Sequence, residues 1–176
     1  MDIREKFKAF TIHNSPFTTH LMTDQEKRSL KQILYKKAIT LIEQRISTAA
    51  AAMQNAQAAA NEEEKSSAGD KYETSRAMSH LEKDMYAKQS EENKKELAFL
   101  TTIDCNKLYD SAVAGCLINC DECSFFIAAG LGKIDVEGMT VYFLSPNAPL
   151  AKLLNKKKVG DAIEFNKKEI VIRAVY

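Results

Sequence analysis

The chain has 176 residues, of which 45% are hydrophobic and 28% charged, a composition typical of a globular protein with one domain or two small ones. Its net charge of +1 provides no overall field that would commit it to nucleic acid or to a membrane surface. No apolar run is long enough to span a bilayer, and we expect a cytoplasmic protein without a membrane partner. The first segment, residues 1–21, lacks the apolar centre of a signal peptide and receives no structural assignment.

The first predicted helix opens at Thr23, because Thr23 and Glu26 have the spacing of a capping box. Behind this start, apolar residues alternate by four and three positions, which is the spacing of a heptad seam and predicts a long helix. The seam tapers from isoleucine to alanine, so a partner helix can approach closely near its far end. Its members are Tyr35, Ile39, Ile42, Ile46, Ala49, Met53, Ala56 and Ala60.

A short acidic segment, residues 61–76, interrupts the helical pattern and contains Gly69, which favours a turn. A second helical pattern follows, and two long helices joined by a short turn pack antiparallel. The pattern of residues 22–103 therefore predicts a two-helix coiled-coil hairpin with an acidic tip. A coiled coil between two copies is the alternative, but the break lies near the middle of the periodic region, which favours a monomeric hairpin. The apolar positions of the second pattern are Met78, Leu81, Met85 and Phe99.

Asp70 and Glu73 are the two tip residues with a chemically suggestive spacing. An Asp-x-x-Glu sequence at a helix start is close to a capping box, and acidic residues in a first turn also suit the helix dipole. The same spacing puts two carboxylates on one helix face, where they could hold a divalent cation or orient a water molecule. The two interpretations are compatible, and the pattern alone favours the structural one.

Residues 104–176 contain short β-rich runs separated by turn signals, which predicts a small antiparallel sheet with one short helix. Asn147 is the predicted cap of that helix, with Pro149 in its first turn. The whole chain is therefore expected to be of the α+β class. The predicted strands are 112–118, 124–129, 133–136, 139–144, 162–165 and 169–175.

The four cysteines divide into a solitary Cys105 and a cluster of Cys116, Cys120 and Cys123. A single Cys-x-x-Cys without a second pair is a weak zinc signal. A redox pair is the other possibility, but the βαβ pattern that usually accompanies one is missing around it. We favour reduced thiols, as is usual in a cytoplasmic protein, over a metal site.

Lys156, Lys157 and Lys158 form a basic run after the predicted short helix. Such a run is most often a solvated surface. The functional interpretation is a surface that binds an acidic or phosphate-bearing partner. No aromatic residues are interleaved with these lysines, so the run does not predict stacking on nucleic-acid bases.

Two segments resemble motifs of the bacterial Gre family, the transcript-cleavage factors of RNA polymerase. Gly69-Asp-Lys-Tyr-Glu73 is similar to the Gly-Asp-x-x-Glu at the tip of that family's hairpin. Leu144-Ser-Pro-Asn-Ala-Pro-Leu-Ala-Lys-Leu-Leu154, followed by Lys156-Lys-Lys-Val-Gly-Asp161, is similar to the family's Ile-Ser-x-x-Ser-Pro-Leu-Ala-Lys-Ala-Leu and Gly-Lys-Lys-Val-Gly-Asp. The resemblance covers residues 22–176, and the order and separation of the motifs make it stronger than either alone.

The resemblance implies an FK506-binding-protein-like fold for residues 104–176, docked at the rim of the secondary channel of RNA polymerase. Asp70 and Glu73 would then enter the channel, share the catalytic magnesium of the polymerase, and act only indirectly on the 3′ end of backtracked RNA. The polymerase would be the nuclease, so the chain would be no enzyme and would bind no cofactor alone. Ser145, Pro146 and the lysine run are candidate docking residues by motif position or charge.

The chain departs from the family pattern at several places: Thr74–Ala77 replaces Asn-Ala-Glu-Tyr, Ala148 replaces Ser, and Asn155 stands in the place of Gly. Three acids, Glu62–Glu64, also precede the tip, and the start of the first helix lacks the family's usual Gly and Leu pattern. These departures leave open a channel-binding regulator without cleavage activity. A third interpretation, a peptidyl-prolyl isomerase, follows only from the implied fold. It requires an aromatic-lined pocket, and the C-terminal region offers few aromatics for one: Phe125, Phe126, Tyr142, Phe143 and Phe165.

Overall fold

A computed structural model of the chain describes residues 22–64, 70–136 and 138–176, without the side chains of residues 60, 62–64, 70–73, 75 and 76. The predicted extension 1–21 and the predicted turn at Gly69 lie outside the described residues. The described chain is of the α+β class, as predicted, with two long helices followed by a mixed sheet. It divides into two compact units, residues 22–38 with Thr102–Tyr176 and Ile39–Thr101. The domain boundaries predicted at residues 21 and 103 remain predictions.

Helix α1, Asp24–Glu64, begins with the predicted capping box. The Thr23 N–H donates to Glu26 Oε2 at 2.7 Å, and the Glu26 N–H donates to Thr23 Oγ1 at 3.3 Å. Each side chain thus satisfies a backbone donor that a helix start leaves without an intrahelical partner. The predicted start of this helix is confirmed.

From Ile42 to Ala56 the predicted seam of α1 is also the less exposed face of the helix, whereas nearer its start the buried residues are Leu30, Leu34 and Ala38 rather than the predicted Tyr35 and Ile39. Ile42, Ala49 and Ala56 are buried at a spacing of seven residues, at 0%, 3% and 6% exposure. Ile46 and Met53 are half-buried between them, whereas positions on the opposite face are exposed. A seven-residue repeat of burial is the spacing expected of a heptad seam.

Helix α2, Asp70–Leu100, buries a different face from the one predicted. Met78, Leu81 and Met85 are 55%, 65% and 55% exposed, so the prediction that they form the seam is wrong. Asn93 and Leu100 are buried instead. The less exposed face is mostly polar, so hydrophobicity alone selected the wrong side of the helix. The half-buried positions of α2 are Ser79, Lys83, Tyr86, Ser90, Glu96, Leu97 and Phe99, and of these only Phe99 was predicted to lie in the seam. Within the described residues, no helix is long and apolar enough to cross a membrane.

The strands of the described chain form one six-stranded sheet in the order β3-β4-β2-β1-β6-β5. All neighbouring pairs are antiparallel except β2 and β4, which run parallel, so the predicted antiparallel sheet is corrected to a mixed one. The reason is the position of β3, which lies at the outer edge of the sheet, beyond β4, and runs antiparallel to it. β4 therefore runs in the same direction as its other neighbour, β2. The strands are β1 Leu117–Cys120, β2 Ser124–Ile127, β3 Gly132–Val136, β4 Met139–Leu144, β5 Ala162–Phe165 and β6 Lys168–Val175.

The predicted bounds of β4 and β5 are confirmed, but β1 begins at Leu117 rather than at residue 112. Ala112 is not in a strand because its N–H donates to the Lys157 carbonyl at 2.8 Å and its carbonyl accepts from the Lys156 N–H at 2.7 Å. The short helix α3, Pro149–Leu154, has Pro149 in its first turn as predicted. Its N-cap residue is Ala148, without a side-chain hydrogen bond, so the predicted Asn147 cap is wrong.

The buried cluster of the sheet joins four strands, β1, β2, β5 and β6, to α3. It contains Ile118 of β1, Phe125 of β2 and Ile172 of β6, and α3 contributes Ala151 and Leu154. Burying each large apolar side chain stabilises the fold by roughly 1.5–3 kcal/mol. The segment around α3, which carries the C-terminal sequence motif, is therefore fixed to the sheet.

Candidate docking surface and acidic tip

Asp70 is the first residue of α2, and Glu73 lies one turn further along the same helix. A helix that begins at Asp70 agrees with the predicted position of the acidic motif. The side chains of Asp70 and Glu73 lie outside the described residues, and so do those of Glu62, Glu63 and Glu64. The predicted roles of Asp70 and Glu73 as a cap or as cation ligands therefore remain predictions.

Ser145 and Pro146 lie in a tight turn between β4 and α3. The Ser145 carbonyl oxygen accepts from the Ala148 N–H at 2.9 Å, and the Ser145 Oγ lies 3.4 Å from the Asn147 N–H. Both Ser145 and Pro146 are half-buried. The turn is thus held by its own backbone, and Pro146 is presented at the surface in a fixed position.

Pro146 is part of the wall of a shallow cavity of about 220 Å³. The cavity lies between the start of the sheet domain and α3, and it continues to Asn155, the residue before the lysine run. The structure therefore brings the predicted Pro146 close to the C-terminal end of α3. The remaining lining residues are Val113, Ala114, Ile127, Ala151 and Lys152.

Sequence reasoning did not identify three of these lining residues. Val113, Ala114 and Ile127 reach the cavity from a different part of the chain, and no local pattern relates them to Pro146. A larger cavity of about 370 Å³ lies against β5 and β6, and its lining contains none of the predicted site residues. The smaller cavity is therefore the one associated with the sequence motif.

The lysine run is rigidly attached to the domain although its side chains are largely exposed. Lys156 and Lys158 are exposed, and Lys157 is half-buried. The backbone of Lys156 and Lys157 bonds to Ala112, and the Lys158 N–H donates to Asp161 Oδ2 at 2.8 Å. Within the described part of the chain none of the three side chains forms an ion pair. The run presents positive charge from a fixed backbone.

The position that favours glycine in this motif is Lys156. Its φ is 64°, in the left-handed region, whereas Asn155 has a φ of −52°. The sequence motif predicts the glycine position at Asn155, whereas the left-handed conformation lies one residue later, at Lys156.

All four cysteines are free thiols in the structure. Cys116 and Cys120 are buried, and Cys105 and Cys123 are half-buried. Burial raises the pKa of Cys116 to about 11 and that of Cys120 to about 12, because a thiolate is poorly solvated in an apolar environment. In residues 22–64, 70–136 and 138–176, no three His, Cys, Asp or Glu side chains come together as metal ligands would.

The aromatic residues of the sheet domain are used in packing. Phe125 lies against Tyr142 with ring centres 5.8 Å apart, and Phe126 meets Phe143 edge-on at 5.5 Å. Neither of the two cavities described above has an aromatic lining. These two cavities therefore lack the aromatic lining that the prolyl isomerase interpretation requires.

Comparisons with protein-family models, curated proteins and solved structures found no match to this chain. Any functional conclusion must therefore come from the residues and their placement. Two features are relevant to the function. The first is the acidic segment at the start of α2, and the second is the surface formed by Pro146, α3 and the lysine run.

Proposed function

We propose that the chain is a Gre-like transcription elongation factor, which binds RNA polymerase and promotes cleavage of backtracked RNA. In this proposal α1 and α2 pair as an antiparallel coiled-coil hairpin, and the sheet domain is FK506-binding-protein-like. The protein acts in the bacterial cytoplasm as a monomer. It is a donor of acidic ligands to the polymerase rather than an enzyme.

The observation that carries the proposal is the placement of the Leu144–Asp161 segment. In motif order, this segment supplies a strand end, the Ser145–Pro146 turn, α3 and the lysine turn. Part of this segment lines a cavity, and its exposed residues on a fixed backbone suit a docking role. The left-handed backbone at Lys156 is a conformation that glycine adopts readily, and the family motif has a glycine in this turn.

Two features of the helices add support. The burial repeat of α1 has the seven-residue period of a helix with a long partner seam. The Gly-Asp-x-x-Glu motif coincides with the start of α2, far in sequence from the sheet domain. Two carboxylates can supply oxygen ligands to a divalent cation that a partner already holds. In this proposal that partner is the polymerase, and Asp70 and Glu73 are the two carboxylates.

The test is a cleavage assay on backtracked complexes of the cognate RNA polymerase, with magnesium present and the purified full chain added. Wild-type protein should shorten the RNA from its 3′ end faster than polymerase alone. Asp70→Asn and Glu73→Gln should each lower the stimulated rate at least tenfold while leaving polymerase binding within about twofold, since one charge-assisted ligand contributes 1.5–3 kcal/mol. The matched controls are Asp84→Asn and Glu91→Gln, the same changes at exposed positions of α2.

The outcomes separate the proposal from its main alternative. If the chain binds polymerase without accelerating cleavage, the alternative function is supported, namely a channel-binding regulator without cleavage activity. The altered flank Thr74–Ala77 favours that alternative. Full stimulation by both tip variants would remove Asp70 and Glu73 from the mechanism. Failure of the wild-type chain to bind polymerase would overturn both functions.

A further inference from the structure

The hairpin of β1 and β2 ends on a pair of cysteines. Its ladder pairs Asn119 with Ser124, so Cys120 and Cys123 come next and lie opposite each other across a two-residue turn. The Cys120 N–H donates a hydrogen bond to the Cys123 carbonyl oxygen at 2.9 Å. Opposite residues of a hydrogen-bonded pair have Cα atoms roughly 5.5 Å apart. That distance lies inside the range of about 4.4–6.8 Å that disulfides span.

Both thiols lie on the same face of the hairpin. Cys120 belongs to the buried cluster that also contains Ile118 and Phe125, the neighbouring inward residues of the two strands, and Cys123 packs against that cluster. Side chains directly opposite in an antiparallel pair have Cβ atoms about 4.5–5.5 Å apart. Hydrogen-bonded pairs lie at the longer end of that range, so a disulfide, with Cβ atoms about 3.5–4.5 Å apart, needs the two chains roughly 1–2 Å closer at the end of the hairpin.

The two thiols differ in access, and the turn between them is held in place. Cys123 is half-buried, whereas Cys120 is 1% exposed. Asp121 in the turn accepts from Arg173 at two points, from Nε at 2.6 Å and from Nη2 at 3.2 Å. Cys116 is fully buried. It stands four residues before Cys120, which puts the two roughly 13 Å apart along the strand direction. Cys116 therefore does not compete for either thiol.

We propose that Cys120 and Cys123 form a redox-active pair, which low-molecular-weight disulfides convert to an intrachain disulfide. The Cys123 thiolate attacks one sulfur of the small disulfide, forming a mixed disulfide and releasing one small thiol. Cys120 then loses its proton and attacks the Cys123 sulfur, releasing the second small thiol. Two protein thiols lose two electrons and two protons, and the small disulfide is reduced to two thiols.

The burial of the pair sets the speed of this exchange. Burial raises the pKa of Cys123, and Glu122 raises it further. Only the thiolate attacks a disulfide, so the reaction is slow near neutral pH. Its rate increases close to tenfold per pH unit until the pH reaches the pKa of Cys123.

The experiment incubates the folded full chain with glutathione and glutathione disulfide at several ratios and at pH 7 and 8, followed by acid quenching and alkylation. A Cys105→Ser background removes the other half-buried thiol. Peptide mapping then locates the products. Cys116 is fully buried, so if it stays unalkylated under native conditions, the chain has stayed folded. The expected product has lost two hydrogens and contains a Cys120–Cys123 link, formed about tenfold faster at pH 8 than at pH 7.

Cys123→Ser should abolish both the link and the glutathione adduct in this background, and Cys120→Ser should stop the reaction at the mixed disulfide on Cys123. If a serine variant does not fold, the peptide map of the Cys105→Ser protein still decides the question. Two results would overturn the proposal in a chain whose Cys116 stays protected. One is that both thiols remain alkylatable after denaturation despite excess glutathione disulfide, and the other is that only the glutathione adduct accumulates.

Discussion

The amine of Lys31 lies 4.5 Å from the centre of the Tyr109 ring, in the geometry of a cation–π contact. The same Nζ donates to the Lys107 carbonyl oxygen at 2.5 Å. Lys31 has no exposed surface, so these partners, rather than water, stabilise its charge. Burial lowers the pKa of Lys31 to about 8, although Cys116, Cys105 and Asp104 act in the opposite direction. This lysine ties α1 to the segment that leads into the sheet.

Loss of Lys31 should therefore change stability in a pH-dependent way. Between about pH 8 and its ordinary pKa of 10.5, Lys31 binds a proton more readily in the unfolded chain, so stability rises with pH. Relative to Lys31→Met, the wild type should gain about 1 kcal/mol in the free energy of unfolding between pH 7 and pH 9. Urea titrations at the two pH values measure this. Lys37→Met, the same change at an exposed position of α1, is the control, and an equal pH effect in both variants would contradict the prediction.

Gly115 is a position where any side chain meets both strain and a close neighbour. Its φ is +86°, and a Cβ there would lie 2.8 Å from Ile103 Cγ2. Gly115→Ala should destabilise the chain by about 2–4 kcal/mol, as left-handed strain and overpacking add. Gly132→Ala is the matched control, because Gly132 has φ +78° with nothing within 4 Å of the added Cβ. It should lose only about 1–2 kcal/mol. Equal losses in guanidinium titrations would show that Ile103 yields to the methyl group.

The features that the sequence predicted correctly depend on neighbouring residues. The capping box of Thr23 and Glu26 needs only residues within one helical turn, and its hydrogen bonds form as expected. The bounds of β4 were predicted correctly. Local turn signals, including Gly138 with its φ of +80°, mark them.

The features that were missed depend on residues distant in the sequence. Ala112 lies in an apolar run that predicts a strand, but its backbone groups bond to Lys156 and Lys157 instead. The parallel pairing of β2 with β4 depends on where β3 is placed in the sheet. Lys31 could have been identified, since it stands three and seven residues before the buried Leu34 and Ala38 on the same helix.

The candidate site was predictable only in part, for the same reason. The motif identified Pro146 and the lysine run, and the structure places both next to α3. Val113 and Ile127, which complete the cavity, come from segments with no motif of their own. Their contribution depends on how the sheet brings distant residues together.

The turn between β5 and β6 should be improved by a glycine. Asn166 and Lys167 have φ values of 54° and 62°, as in a type I′ turn, where Asn-Gly is the favoured sequence. Lys167→Gly should increase the free energy of unfolding by about 0.5–1 kcal/mol, because relief of left-handed strain exceeds the added freedom of the unfolded chain. Denaturant titration measures the change. Lys168→Gly, one position later in β6, should instead be destabilising, and a loss of stability in Lys167→Gly would argue against the assigned turn.

The lysine run should contribute to docking through its charge. Lys156 and Lys158 are exposed on a fixed backbone, so the double change Lys156→Gln with Lys158→Gln removes two charges and keeps the fold. We expect an affinity for RNA polymerase that is weaker by about two- to thirtyfold at 0.1 M salt, since each of the two exposed charges contributes about 0.2–1 kcal/mol. The affinity of the variant should also depend less steeply on salt than that of the wild type.

The control for this prediction carries the same charge change elsewhere in the same unit. Lys167 and Lys168 are exposed on the β5–β6 hairpin, so Lys167→Gln with Lys168→Gln alters the net charge equally without touching the motif. A binding titration across several salt concentrations compares the two double variants with the wild type. If only the Lys156 and Lys158 double variant binds RNA polymerase more weakly, the charge of the lysine run acts locally. Equal weakening of both would mean that the polymerase responds to overall charge, and the lysine run would lose its place in the docking surface.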